Sequence, residues 1–225
     1  KGCITTNNDS RITNSKKTNS RKFILLGMAA IQCTNLSIGY GSTIIQHSLN
    51  LSLHEGEMVC MLGRNGCGKS TLLRTLAGLQ APLGGEYTIM NTPARAETMN
   101  SQIALVLTER LSVDNTTIHD VVAMGRYPYT SFLGGLSESD EEIIAQSLRD
   151  VGLYEQMHTF FNDHSDGEKQ RVLIAKALAQ DTPIIFLDEP TSHLDLPNTI
   201  EIMQLQRELA KNTKKAILIS THELE

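Results

Sequence analysis

The chain lacks an apolar run long enough to cross a bilayer, which needs about 20 consecutive residues. The nearest approach, Phe23 to Ile31, is far shorter. Basic residues before it and Cys33 after it imitate a short signal peptide, but Gln32 directly precedes the cysteine, where a cleavage or lipidation site needs a small residue. Any membrane link must then run through a partner. The chain also lacks a C-x-x-C pair: Cys3, Cys33, Cys60 and Cys67 are scattered, which excludes a disulfide framework or zinc site and fits a reducing cytoplasm. There are no internal repeats. A basic face is missing too. The net charge of −5 hides six Lys or Arg in residues 1–27 against Asp9 alone, so the remainder carries −10. An acidic body argues against nucleic acid as a partner.

What is present is enough for one large domain or two small ones: 225 residues of ordinary composition. Residues 1–27 read as a disordered basic tail, too poor in apolar side chains to bury a surface, with Met28 the expected natural start. From Ala30 to Glu57 the pattern is strand-like, with a turn at Gly39-Tyr40-Gly41-Ser42. Gly84-Gly85 predicts a hairpin before Tyr87-Thr88-Ile89, and Ile103 to Leu107 a further strand. A helical stretch over about 110–165 follows, with helices at Thr117 to Met124 and from Ser137. A helix after Ser165, a strand at Ile184 to Leu187, a polar helix at about 198–212 and a strand at Ala216 to Ile219 complete the series. Short apolar strands alternating with helices predict an α/β fold with a mostly parallel sheet.

The run Gly63-Arg64-Asn65-Gly66-Cys67-Gly68-Lys69-Ser70-Thr71 fits G-x-x-x-x-G-K-[ST]. Its glycines let the backbone curl so that successive N–H groups point at phosphate oxygens. Lys69 supplies a positive charge for the β- and γ-phosphates, and Ser70 a hydroxyl for Mg²⁺. A chance Gly-rich turn would lack the context found here. Met58 to Leu62 reads as a buried strand leading into the loop, and Ser70 to Ala77 as a helix leaving it. Asp188 and Glu189 end another apolar strand, at the sheet edge where open α/β folds bind ligands. Asp188 suits Mg²⁺, and Glu189 suits accepting a proton from an attacking water.

With these motifs in this order, residues 28–225 resemble the ATP-binding subunit of an ABC transporter. The resemblance implies a P-loop NTPase with an N-terminal antiparallel β-subdomain and an inserted α-helical subdomain, binding ATP and Mg²⁺. It places Tyr40 where that family stacks an aromatic ring on adenine. Ser165-Asp166-Gly167-Glu168-Lys169-Gln170 falls at the signature position, where Ser165 and Gly167 would receive the γ-phosphate held by a second copy. Asp195, in Ser192-His193-Leu194-Asp195, matches the loop joining the two nucleotide sites, and His222 matches the switch histidine. Thr108 takes the place of the usual Mg²⁺-sensing glutamine, with Glu109 beside it. Ser165-x-x-Glu168 is also a capping box, and the two roles are compatible.

Some residues depart from the family pattern. His164 stands where an apolar residue is usual, and Asp166 and Glu168 bring negative charge near the expected phosphate. Thr108 has a shorter reach than glutamine, which points to slower or differently coupled hydrolysis. The family also continues past the switch histidine, so the C-terminal end is expected to be truncated. Met124-Gly125-Arg126-Tyr127-Pro128 is similar to a segment of ATPases serving importers of siderophores, haem and cobalamin; a helix stopped by Gly125 and Pro128 would account for two of its residues without a function. The resemblance implies a homodimer on transmembrane permease subunits at the inner face of the cell membrane, with a substrate-binding protein acting indirectly. The alternatives are a non-transport ABC ATPase and a degenerate subunit that binds nucleotide but hydrolyses it weakly.

Overall fold

The computed structural model describes residues 5–7, 29–94, 99–108, 113–130 and 135–222. Two sheets organise it. The first has the order β1 (Thr5–Asn7), β4 (Met58–Leu62), β9 (Ala216–Thr221), β8 (Ile184–Asp188), β7 (Ile103–Val106). All its pairings are parallel except β1 with β4. The second is antiparallel: β3 (Thr43–His54), β2 (Ala29–Tyr40), β5 (Gly84–Ile89), β6 (Thr92–Pro93).

Strand alternation explains how one sheet serves two cores. Ile184 and Phe186 of β8, with Ala216 and Leu218 of β9, face the antiparallel sheet and helix α1 (Lys69–Leu76). Ile185, Leu187, Ile217 and Ile219 face the other way. There they meet α3 (Ile118–Ala123), α4 (Glu138–Asp150), α5 (Asp166–Ala179) and α6 (Leu196–Thr213), which follow the short α2 (Met99–Gln102) in the chain. Both faces are covered, so these strands are continuously apolar, as the sequence pattern required.

Capping fixes where the helices begin. Thr117, Ser137 and Ser165 each accept a hydrogen bond from the backbone N–H three residues on, and an acid at that position reaches back to complete the box. Asp195 caps α6 by accepting from Asn198 N–H at 3.0 Å.

Three expectations change. Thr5–Asn7, inside the segment read as a disordered tail, pairs antiparallel with β4, whose outer edge offers unpaired backbone groups; most of that tail lies outside the described residues. Gly84-Gly85 opens β5 rather than turning a hairpin: Gly85 has φ +72°, and a Cβ there would overlap the Asn35 carbonyl. Gly125 and Pro128 do not stop the chain's helical course, which continues from α3 as a 3₁₀ turn over Met124–Tyr129.

That turn is a structural latch. A Cβ on Gly125 would overlap the Lys176 carbonyl of α5. Buried Arg126 donates from Nε to Asp140 at 2.8 Å and from Nη1 to the Ala179 carbonyl at 2.9 Å. Its guanidinium also lies 4.2 Å from the Tyr129 ring centroid. Hydrogen bonds from the Ser137 hydroxyl and backbone, then from Arg126, hold the Asp140 carboxyl at about 2 instead of 3.8.

Truncating the fully buried Phe186 to alanine is expected to cost about 3–5 kcal/mol in chemical denaturation. Because the folded-state pKa of Asp140 is lowered, its contribution is full above the unfolded value and lost as pH falls through about 2. The gap in thermal midpoint between wild type and Asp140→Asn should therefore be open near neutrality and close as pH drops from about 4 toward 2.

Candidate functional site

In-register parallel strands end together, and their ends build the site. Leu62 pairs with Thr221, and Asp188 with Ser220. The Gly63 N–H donates to the Thr221 carbonyl at 3.3 Å, and the Glu189 N–H to the Ser220 carbonyl at 3.0 Å. The phosphate loop, the two acids and His222 thus leave the sheet side by side.

An open cleft of about 420 Å³ is lined by Tyr40, Ile45, Asn65, Gly66, Gly68, Lys69, Ser70, Thr71, Thr108 and Glu189. Tyr40 is 53% exposed and is no core tyrosine; its hydroxyl lies 3.3 Å from that of Thr71. Gly66 and Gly68 have φ of +79° and +102°, the left-handed backbone that a curled loop needs. A Cβ on Gly68 would come within 2.8 Å of the Ile45 side chain. Buried Lys69 is shared: Nζ donates to the Gly63 carbonyl at 2.8 Å and the Arg64 carbonyl at 3.3 Å, and lies 3.4 Å from Glu189 Oε1.

Glu189 therefore lies between Lys69 and His222. Its other oxygen is 3.2 Å from His222 Nδ1. Its φ of +50° is unusual for a residue with a Cβ and costs on the order of 1–2 kcal/mol. Such strain persists where the surroundings over-determine a side chain's aim. Asp188 is buried and accepts from the Ser220 hydroxyl at 2.5 Å. The Thr108 hydroxyl donates to the Asp188 carbonyl at 3.0 Å, so its proton tethers this segment to the end of β8; Glu109 lies outside the described residues.

Ser165, Gly167 and Asp195 do not line this cleft. Ser165 is exposed, its hydroxyl donating to Glu168 at 2.8 Å, and Gly167 is packed beneath the Asn198 side chain. The Ser165 hydrogen bonds, with His164 a secondary influence, hold the Glu168 carboxyl below its ordinary pKa. His164 itself is half-buried, between Thr159 at 2.7 Å and Glu168 at 3.5 Å. Behind Thr108 and Glu189 a second cleft, of about 170 Å³, is walled by the start of α5 and by Ser192, His193 and Leu194.

The sequence pattern of the ABC transporter family matches residues 46–192. The chain belongs to that family. An uncharacterized ABC transporter ATP-binding protein of Methanocaldococcus jannaschii is 40% identical over 198 residues, covering 87% of this chain and 68% of that protein. The petrobactin import ATP-binding protein of Bacillus anthracis is 38% identical, over 87% of this chain and 72% of its own. A solved ABC transporter, described as of metal-chelate type and inward-facing, superposes with TM-score 0.76 at 30% identity over 87% of this chain and 74% of that one. ATP-binding subunits of this family are ATPases, and this ABC ATPase has their P-loop NTPase fold. Among the described residues no helix is long and apolar enough to cross a membrane.

Two residues of the site escaped the sequence reading. Ser220 holds both Asp188 and the Glu189 N–H, and Gln46 donates to the Cys67 carbonyl at 3.0 Å. Gln46 directly follows Ile44-Ile45, and Ser220 follows the run Ala216 to Ile219, so each stands where an apolar run turns polar, which is a weak signal.

Burial pushes the Cys33 thiol up to about 12 and Cys60 to about 11, whereas half-buried Cys67 sits in the loop itself. Maleimide at about pH 7.5 should therefore modify Cys67 ahead of Cys33 and Cys60, with ATP slowing the Cys67 reaction. Peptide mapping after timed labelling reads both.

Proposed function

We propose that this chain hydrolyses ATP as a homodimer and thereby powers uptake of an iron chelate, haem or cobalamin through separate permease subunits at the inner face of the membrane. The observation that carries the ATPase chemistry is Glu189, held between Lys69 and His222 at the lip of the glycine-rich loop. A triphosphate competes for the Lys69 ammonium with several oxygens at once. As Lys69 turns to it, Glu189 is released to accept a proton from the attacking water. Lys69, the loop N–H groups and His222 stabilise charge on the transferred phosphoryl group, so catalysis is mostly positioning and electrostatics. Gly63, Asn65, Gly66, Cys67, Gly68 and Thr71 shape the cradle, and Tyr40 offers an exposed ring to the adenine.

Ser70 and Asp188 are the hard oxygen donors for Mg²⁺, with Thr108 beside them. Among the described residues no group of three His, Cys, Asp or Glu could hold a metal ion. Ser70 and Asp188 would hold Mg²⁺ together with nucleotide phosphates, whose charge the ion would offset. Because the Thr108 proton is committed to Asp188, hydrolysis is slower than with a longer glutamine side chain.

Ser165, Gly167 and Asp195 lie outside the chain's own cleft, which supports their acting on a second copy's nucleotide. The importer assignment rests on the resemblance of Met124 to Pro128 and on the petrobactin importer relative. Charge supports a permease partner: residues 113–165 carry nine Asp or Glu against Arg126 and Arg149, complementing the Lys and Arg excess of cytoplasmic permease loops.

Glu189→Gln is expected to keep ATP binding, to lower turnover at least about 100-fold and to accumulate as an ATP-bound dimer in gel filtration. Lys69→Ala should lose tight ATP binding. Wild-type turnover in Glu189→Gln would remove Glu189 as the base. Uptake of iron chelates, haem and cobalamin in cells lacking the gene, measured separately, selects the cargo.

A further inference from the structure

We infer that Gln46 is a positioning residue of the ATP site, acting on the Cys67–Gly68 peptide of the phosphate loop. It lies on β3, outside the glycine-rich run, and its backbone is fixed by pairing with Ile38 of β2. Its side chain is 9% exposed, and Nε2 donates to the Cys67 carbonyl at 3.0 Å. The peptide unit is planar and trans, so the carbonyl of Cys67 and the N–H of Gly68 point in opposite directions. A donor that holds the carbonyl outward therefore aims the N–H inward, toward the cleft where phosphate is to sit.

The loop needs this help. Gly66 and Gly68, on either side of Cys67, have positive φ and low barriers to rotation. The Cys67 N–H is held by the Arg64 carbonyl at 3.2 Å, which leaves the Cys67–Gly68 peptide as the one Gln46 has to fix. Lys69 ties down the carbonyls of Gly63 and Arg64, nearer the start of the loop. Gln46 ties down the carbonyl at its far end, just before α1. Ile45 and the aliphatic part of Gln46 also pack over the Gly68 α-carbon, where an added Cβ would lie 2.8 Å and 3.5 Å from them. The antiparallel sheet thus does more than present Tyr40: through Gln46 it sets the direction of a phosphate-binding donor.

This rests on the reading of the loop as a triphosphate cradle, and the experiment separates the two. Gln46→Leu removes the donor at similar volume, and Gln46→Glu puts a carboxylate against the Cys67 carbonyl. Affinities for ATP and for adenosine are measured by calorimetric titration of each protein, with thermal unfolding recorded without ligand. The expected result is a loss of ATP affinity of about 3- to 10-fold in Gln46→Leu and at least as much in Gln46→Glu, with adenosine affinity held. A wild-type ratio of ATP to adenosine affinity in both variants, whether or not their unfolding midpoints fall, would overturn the role of Gln46. A wild-type protein that binds ATP no better than adenosine would instead overturn the cradle itself.

Discussion

The site depends on the register of three parallel strands. Once β4, β9 and β8 pair as they do, Gly63, His222 and Glu189 must emerge at one edge, because parallel strands in register have their carboxyl ends level. The apolar alternation of β8 and β9 enforces that register: a slip of one residue would exchange Phe186 and Leu218 with Leu187 and Ile219 across the sheet. Core packing thereby decides the distance between Glu189 and the glycine-rich loop, more than 100 residues apart in the chain.

Around this frame the molecule uses small, local devices to set direction. Three capping boxes start α3, α4 and α5 at defined residues. Left-handed backbone at Gly66, Gly68 and Glu189 turns the chain where side chains and N–H groups must converge. Arg126 fastens α4 to the end of α5 through Asp140 and the Ala179 carbonyl. The helical segment is therefore anchored to α5.

Much of this is legible in the sequence alone. The strands, the caps at Ser137 and Ser165, and the glycine loop with its flanking strand and helix are local patterns whose cause lies within a few residues. What escaped is nonlocal. Gln46 meets Cys67 across 21 positions, Ser220 meets Asp188 across 32, Arg126 meets Ala179 across 53 and Thr108 meets Asp188 across 80. Gly85 and Gly125 read as punctuation because a glycine chosen for close approach looks the same in sequence as one chosen for a turn. Their neighbours, Asn35 and Lys176, are visible only in three dimensions.

The sharing of Lys69 has a consequence for idle chemistry. On the mechanism proposed above, one ammonium would serve as both the lock on the base and the grip on the substrate, and the two duties would exclude each other. Water near Glu189 would meet a carboxylate paired with Lys69 until phosphate drew that cation away. On that mechanism the ion pair would act as an interlock, made from the same charge that later promotes the reaction.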